Sequence, residues 1–154
     1  MSKYDNAVWH LGYNPDELNE EEKIRLVQES QRRLAKVTPL PDSNLTPSQL
    51  SSLSLARAVA KHKVNAADIP PASDRVTTAG MYSRSSQEIY ISPKQLEKGR
   101  EAVNTVIHEL AHHTSNAEDG EPEHSSEISR IADQVVASTK RGDFDKYLAG
   151  AFVW

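Results

Sequence analysis

Between Val103 and Thr114 the residues Val103, Val106, Ile107, Leu110, Ala111 and Thr114 recur at i, i+3, i+4, i+7, i+8 and i+11, the spacing of one buried helical face. His108 and His112 lie in the same stretch, four apart, so on a helix they stand one turn above the other. At about 100° per residue, the midpoint of the two imidazoles lies roughly 150° from the apolar face. The stretch therefore predicts a helix buried on one side and presenting two imidazoles to a cleft on the other. One cation can take a ring nitrogen from each, with Glu109 standing beside it. By chance alone, a His-Glu-x-x-His run would arise in a chain of this His and Glu content with a probability of roughly 2%. The phase of the apolar face, a strand upstream and further donors downstream add to the spacing.

The chain has no cysteine, which removes thiolate zinc sites, iron–sulfur clusters, disulfides and a cysteine nucleophile together. A metal must then be held by nitrogen and oxygen, and zinc needs a third protein ligand. Residues Glu118 to Glu127 offer several. Ile128, Ile131, Ala132, Val135 and Val136 repeat at helical spacing, and Pro122 suits the first turn of that helix. His124, four residues before Ile128, projects from the same inward stripe. Glu127 falls at its edge and Glu123 roughly 140° from Ile128. His124 is the first choice, with Glu123 and Glu127 as alternatives, and the acids Glu118, Glu121 and Glu123 otherwise read as a solvated loop. His113 points about 100° away from His112 and reads as a surface or supporting residue. His10 and His62 read as isolated structural or surface residues.

A length of 154 residues suits a single domain. Within it, residues 1–64 read as a helical portion, 65–140 as the metal-binding core and 141–154 as an apolar terminal segment. Asn19 followed by Glu20, Glu21 and Glu22 predicts a helix to about Val37, and Thr46-Pro47 another to about Lys63. Residues 65–86 read as irregular, with strands at Gly80–Tyr82 and Glu88–Ser92 paired as neighbours. Eighteen basic against 22 acidic residues give a net charge of −4, which argues against a surface that grips nucleic acid over its whole extent. Arg75, Arg84, Lys94, Lys98 and Arg100 are the only basic supply near the motif. No apolar run reaches a membrane span and residues 1–5 lack the apolar stretch of a signal peptide. The expectation is a cytoplasmic protein that does not engage a membrane.

On His108, Glu109, His112 and His124 the chain resembles the zincin metallopeptidases over about its last third and the strand before it. Ser115 and Glu118 stand where the metzincin branch would have glycine and histidine. The gluzincin branch would favour Glu123 or Glu127 as the third ligand. The SprT-like family is closer, because its second helix opens with a histidine followed four positions on by an apolar residue, as His124 and Ile128 do. The resemblance implies a small α+β zincin-like domain: a short mixed sheet, a helix carrying the motif, a following ligand-bearing helix and extra N-terminal helices. It implies zinc, hydrolysis of peptide bonds in a protein or peptide substrate, and Glu109 as general base. Many SprT-like proteins add a cysteine zinc ribbon, which this chain lacks, so a nucleic-acid partner is not favoured. A monomer is expected. Tyr82, Tyr90 and Tyr147 are candidates to support an oxyanion. Strand 88–92 is expected to border the cleft as an edge, and residues 144–154 to dock on the core or, alternatively, to lie along the cleft. The rival function is a latent or non-catalytic zinc-binding module, for which a closed four-ligand site would be the sign.

Overall fold

Asn19 and Thr46 start two helices by the same device. Each side chain accepts from the backbone amide three residues on, at Glu22 and Gln49, whose own side chains reach back to the capping amide. Two donors that a first turn leaves without partners are thereby satisfied. The computed structural model describes residues 2–154 and places helix α1 at Asp5–His10, α2 at Glu20–Leu34 and α3 at Pro47–Ala60. Both predicted helices end slightly before their expected limits. Helix α3 stops because Lys61 takes a left-handed conformation, φ 49°, which turns the chain into a strand.

Four strands form one mixed sheet: Thr38–Pro39 (β1), Val64–Asp68 (β2), Gly80–Ser83 (β3) and Glu88–Ile91 (β4), in the spatial order β1-β2-β4-β3. The expected β3–β4 pair is antiparallel, with Gly80 opposite Ile91 and Tyr82 opposite Ile89. Strand β2 runs parallel to β4, Val64 facing Ile89 and Ala66 facing Ile91. It lies where irregular chain was expected. Its alanines and Asn65 have little intrinsic strand character, and burial against β4 decides its conformation. A second correction concerns the edge: β4 is flanked on both sides, and β3 is the edge strand instead.

Helix α4 spans Gly99–Ser115 and α5 spans Pro122–Lys140. Val106, Ile107, Leu110 and Ala111 of α4 are buried in one core with Leu53 and Ala56 of α3, Ile89 and Ile91 of β4, and Ile131 of α5. On α5, Ile128 and Val135 pack against this core, whereas Val136 is 55% exposed. The stripe that orients α5 is therefore narrower than the sequence suggested. Gly80 lets the edge strand approach α4: a Cβ there would lie 2.5 Å from Thr105 Cγ2 and 3.0 Å from the Tyr90 carbonyl.

Gly142, at φ +79°, ends the α5 region, and the apolar tail turns back onto the molecule. Phe144 is buried. No side chain caps α4; instead the amides of Gly99 and Arg100 donate to the backbone oxygens of Val153 and Trp154, at 2.6 and 3.3 Å. The Phe152 ring occupies the space that a side chain at Gly99 would take. The tail lines an apolar recess with Leu55, Val59, Val103 and Val135, none of which lines the cleft. The tail accordingly docks on the core and does not lie along the cleft. Phe152→Ala should lower the stability of the protein by about 2 kcal/mol, read as a shifted denaturant midpoint; an unchanged midpoint would show the tail to be a loose appendage.

Candidate metal centre

The core packing of α4 turns His108, Glu109 and His112 away from Val106 and Leu110, into a cleft of about 1040 Å³. Beyond Asn116, which ends α4 in a left-handed conformation at φ 57°, a short loop leads to Pro122 and α5. His124 sits in the first turn of α5 and is only 2% exposed. The three imidazoles meet at a carboxylate. Asp119 Oδ1 lies 2.9 Å from His108 Nε2, 2.8 Å from His112 Nε2 and 4.0 Å from His124 Nδ1. One donor atom from each of these four residues falls within 4.8 Å of the others, forming a group able to hold a metal ion.

Two of the rings are fixed from behind. His112 Nδ1 donates to the Ala117 carbonyl at 2.8 Å, and His124 Nε2 donates to the His108 carbonyl at 3.1 Å. Each bond selects the nitrogen that faces the centre, His112 Nε2 and His124 Nδ1, as the one free to ligate. Nitrogen and carboxylate donors so arranged fit zinc. A buried oxygen supports the same reading: Glu109, 6% exposed, has Oε2 without any hydrogen-bond partner among the described residues. An unpaired buried carboxylate is costly unless a positive charge compensates it. Glu109 Oε1 stands 3.7 Å from His108 Nε2, beside the centre.

Without a cation, protons carry the compensating charge. Burial raises the Glu109 carboxyl to about 7. Burial pulls His112 down, but the hydrogen bonds to Asp119 and the Ala117 carbonyl outweigh it and hold the imidazolium up to about 9. His108 is raised by its bond to Asp119, and the bonds from both rings hold Asp119 far below the usual carboxylate range. His124, buried and close to two other imidazoles, is lowered.

The structure thus brings together His108, His112, His124 and Glu109. It leaves Glu123 exposed on the surface, and Glu127 is engaged by Arg130 at 2.5 Å. Asp119 was not singled out in the sequence, where it stands among acids that read as solvated loop. The one local signal was Gly120, whose φ of +81° makes the turn that aims Asp119 inward. His113 stays outside the cluster. It is hydrogen-bonded to the Tyr82 hydroxyl at 2.7 Å and rests on the His62 ring, centroids 4.2 Å apart. His62 is therefore not isolated, and His10 lies on the cleft wall. Of the three tyrosines, Tyr82 alone lines the cleft; the Tyr90 hydroxyl donates to Glu88, and Tyr147 lies in the tail. The far wall is built by Asn6 and His10 of α1 and by Val27, Gln31 and Leu34 of α2. Among the described residues no helix is long and apolar enough to cross a membrane.

The raised Glu109 carboxyl has a stability consequence for the metal-free protein. Its folded pKa of about 7 exceeds the ordinary glutamate value of 4.5, so the protonated group favours the fold at low pH and that advantage is lost as pH rises through 7. Above pH 7 the penalty is about 3 kcal/mol. After chelation, Glu109→Gln should therefore melt higher than the unmodified protein at pH 8 and equal to it near pH 4.5. Equal melting temperatures at pH 8 would show that the carboxylate is not strained.

No curated protein and no solved structure matches the chain. The model of the SprT-like family matches residues 55–146, a span that starts in α3 and takes in β2 to β4, α4, the Asp119 loop and α5. More than half of the sequence is covered, including every donor of the centre, and the chain belongs to the SprT-like family.

Proposed function

We propose that the protein is a zinc-dependent metallopeptidase of zincin-like architecture, in which His108, His112 and His124 hold the metal and Glu109 is the general base. The observation that carries this reading is Glu109, a buried carboxylate with an unpaired oxygen next to a histidine cluster at the floor of an open cleft. A purely structural site has no use for such a group. Zinc held there supplies Lewis acidity, bringing the pKa of a water toward about 7 and polarising the scissile carbonyl. Glu109 takes a proton at a carboxylate oxygen and delivers it to the leaving amine. Burial raises its carboxyl, and a cation alongside biases it toward the ionised form that accepts the proton. An extended substrate adds to the free edge of β3, whose Gly80, Met81 and Tyr82 line the cleft, through backbone hydrogen bonds. One domain carries the activity, its core being residues 65–140.

A second reading follows from Asp119. Four donors around one point are the pattern of a closed site, and this favours a zinc-binding module that is latent or does not turn over. Elemental analysis should find about one zinc per chain, as one tetrahedral site implies. His108→Ala, His112→Ala and His124→Ala should each lose the zinc, whereas Glu123→Ala and Glu127→Ala should keep it. Zinc retained in His124→Ala would refute the ligand set. Glu109→Gln should retain zinc and slow cleavage of an unstructured protein by about 100-fold or more; undiminished cleavage would remove the general-base role.

A further inference from the structure

Asp119 comes to the centre on a loop held by the His112 bond to the Ala117 carbonyl and also by contacts outside the centre. Its carboxylate is 41% exposed, against 3% for His124, 11% for His112 and 45% for His108, and it lines the cleft. It is thus reachable from the cleft, the side on which a catalytic zinc site keeps its open position. The loop is gripped from α1. Asn6 Nδ2 donates to the Asp119 carbonyl, and the same amide fills the space where residue 120 would carry a Cβ. A residue with a side chain at position 120 would collide with Asn6 and would also resist the φ of +81°. Helix α1 is in turn fixed to its surroundings: Lys23 meets Asp5 at 2.6 Å, and Ser73 Oγ donates to the Leu11 carbonyl at 2.6 Å. From the other side Arg84 bonds Asn116 and, at 2.8 Å, Glu118. Helix α1 lies outside the span matched by the family model.

We propose that Asp119 is a built-in fourth ligand that closes the metal site, and that α1 is the latch holding it there through Asn6. The protein is then mostly closed as folded, with only the open fraction turning over, and movement of α1 away from Gly120 frees the loop and opens the fourth position. The inference rests on the metal-binding reading above and deepens it.

The test uses the full chain loaded with Co2+ and titrated with acetohydroxamate, a small chelating anion that needs an open position on the metal. Visible absorption reports both coordination and binding. Where only the open fraction binds, apparent affinity falls in proportion to that fraction. Asp119→Ala and Asp119→Asn should therefore bind acetohydroxamate at least ~10-fold more tightly than the unmodified protein, and Asn6→Ala should move in the same direction. Their cobalt spectra before titration should differ from that of the unmodified protein, since one ligand has been exchanged for solvent. Equal affinity and spectra for the unmodified and Asp119 proteins would overturn the fourth ligand. Tight binding by the Asp119 variants with no change in Asn6→Ala would overturn the latch. Circular dichroism separates these outcomes from misfolding, with Asp119→Asn the milder replacement. Failure of every form to take up Co2+ would instead refute the underlying metal-binding reading.

Discussion

The docking of α4 onto α3 and the sheet is the constraint from which the site follows. Val106, Ile107, Leu110 and Ala111 are buried with Leu53, Ile89 and Ile91, and the area removed from water by such residues contributes about 25 cal/mol per Å². A helix fixed by one face has no freedom to rotate. His108, Glu109 and His112 therefore take the opposite face, and their direction into the cleft is decided by residues that never touch the site. The same logic extends to α5, where Ile128, Ile131 and Val135 pack inward and so carry His124 to within 4.0 Å of the Asp119 carboxylate. Backbone adds the last restraint, because the His108 carbonyl on one helix accepts from the His124 ring on the other. Ligand geometry and core packing are thus one problem.

This coupling explains which features could be read from the sequence. Helical periodicity reports a buried face directly, so α4, α5 and the inward position of His124 were legible without coordinates. The β3–β4 pair was legible from the β-branched and aromatic residues of β4 and the short loop between the strands. Strand β2 was not, because Asn65, Ala66 and Ala67 become a strand only through pairing with β4, a partner far away in sequence. Sheet order was hidden for the same reason, and with it the identity of the edge. Helix α1 escaped notice because its six residues are too few to show a period. Asp119 escaped because a carboxylate in an acidic loop has no periodicity to give its direction. Its aim comes from Gly120 and from Asn6, more than a hundred residues earlier.

Glu109 shows the cost of this arrangement. It is carried on a helix at the centre of the core packing, it is almost completely buried, and one oxygen has no partner among the described residues. Ala or Leu would be more stable at such a position in a protein without a metal. So unfavourable an environment is understandable if the centre carries a cation, since a divalent ion beside the carboxyl reverses the electrostatic balance that otherwise protonates it. Stability and chemistry make opposite demands at this residue, as is usual where a site is built into a core.

The donors of the centre are held with unequal firmness. His108 and His112 belong to a helix secured by the main core, and His124 is buried on a helix anchored to it; moving any of them disturbs hydrophobic packing. Asp119 has no such support. Its loop is held by the His112 bond to the Ala117 carbonyl, by the Asn6 amide and by Arg84, whose partner Glu118 is 70% exposed, and exposed ion pairs of this kind contribute about 1 kcal/mol or less. The direct bonds from His108 and His112 are stronger, but they hold only the carboxylate and would compete with the same nitrogens' attraction to a metal. Gly120 gives the backbone a ready hinge beside the carboxylate. Three donors are therefore part of the architecture and the fourth is part of a surface, which is why the proposed latch acts through α1 and the loop and leaves undisturbed the fold that builds the centre.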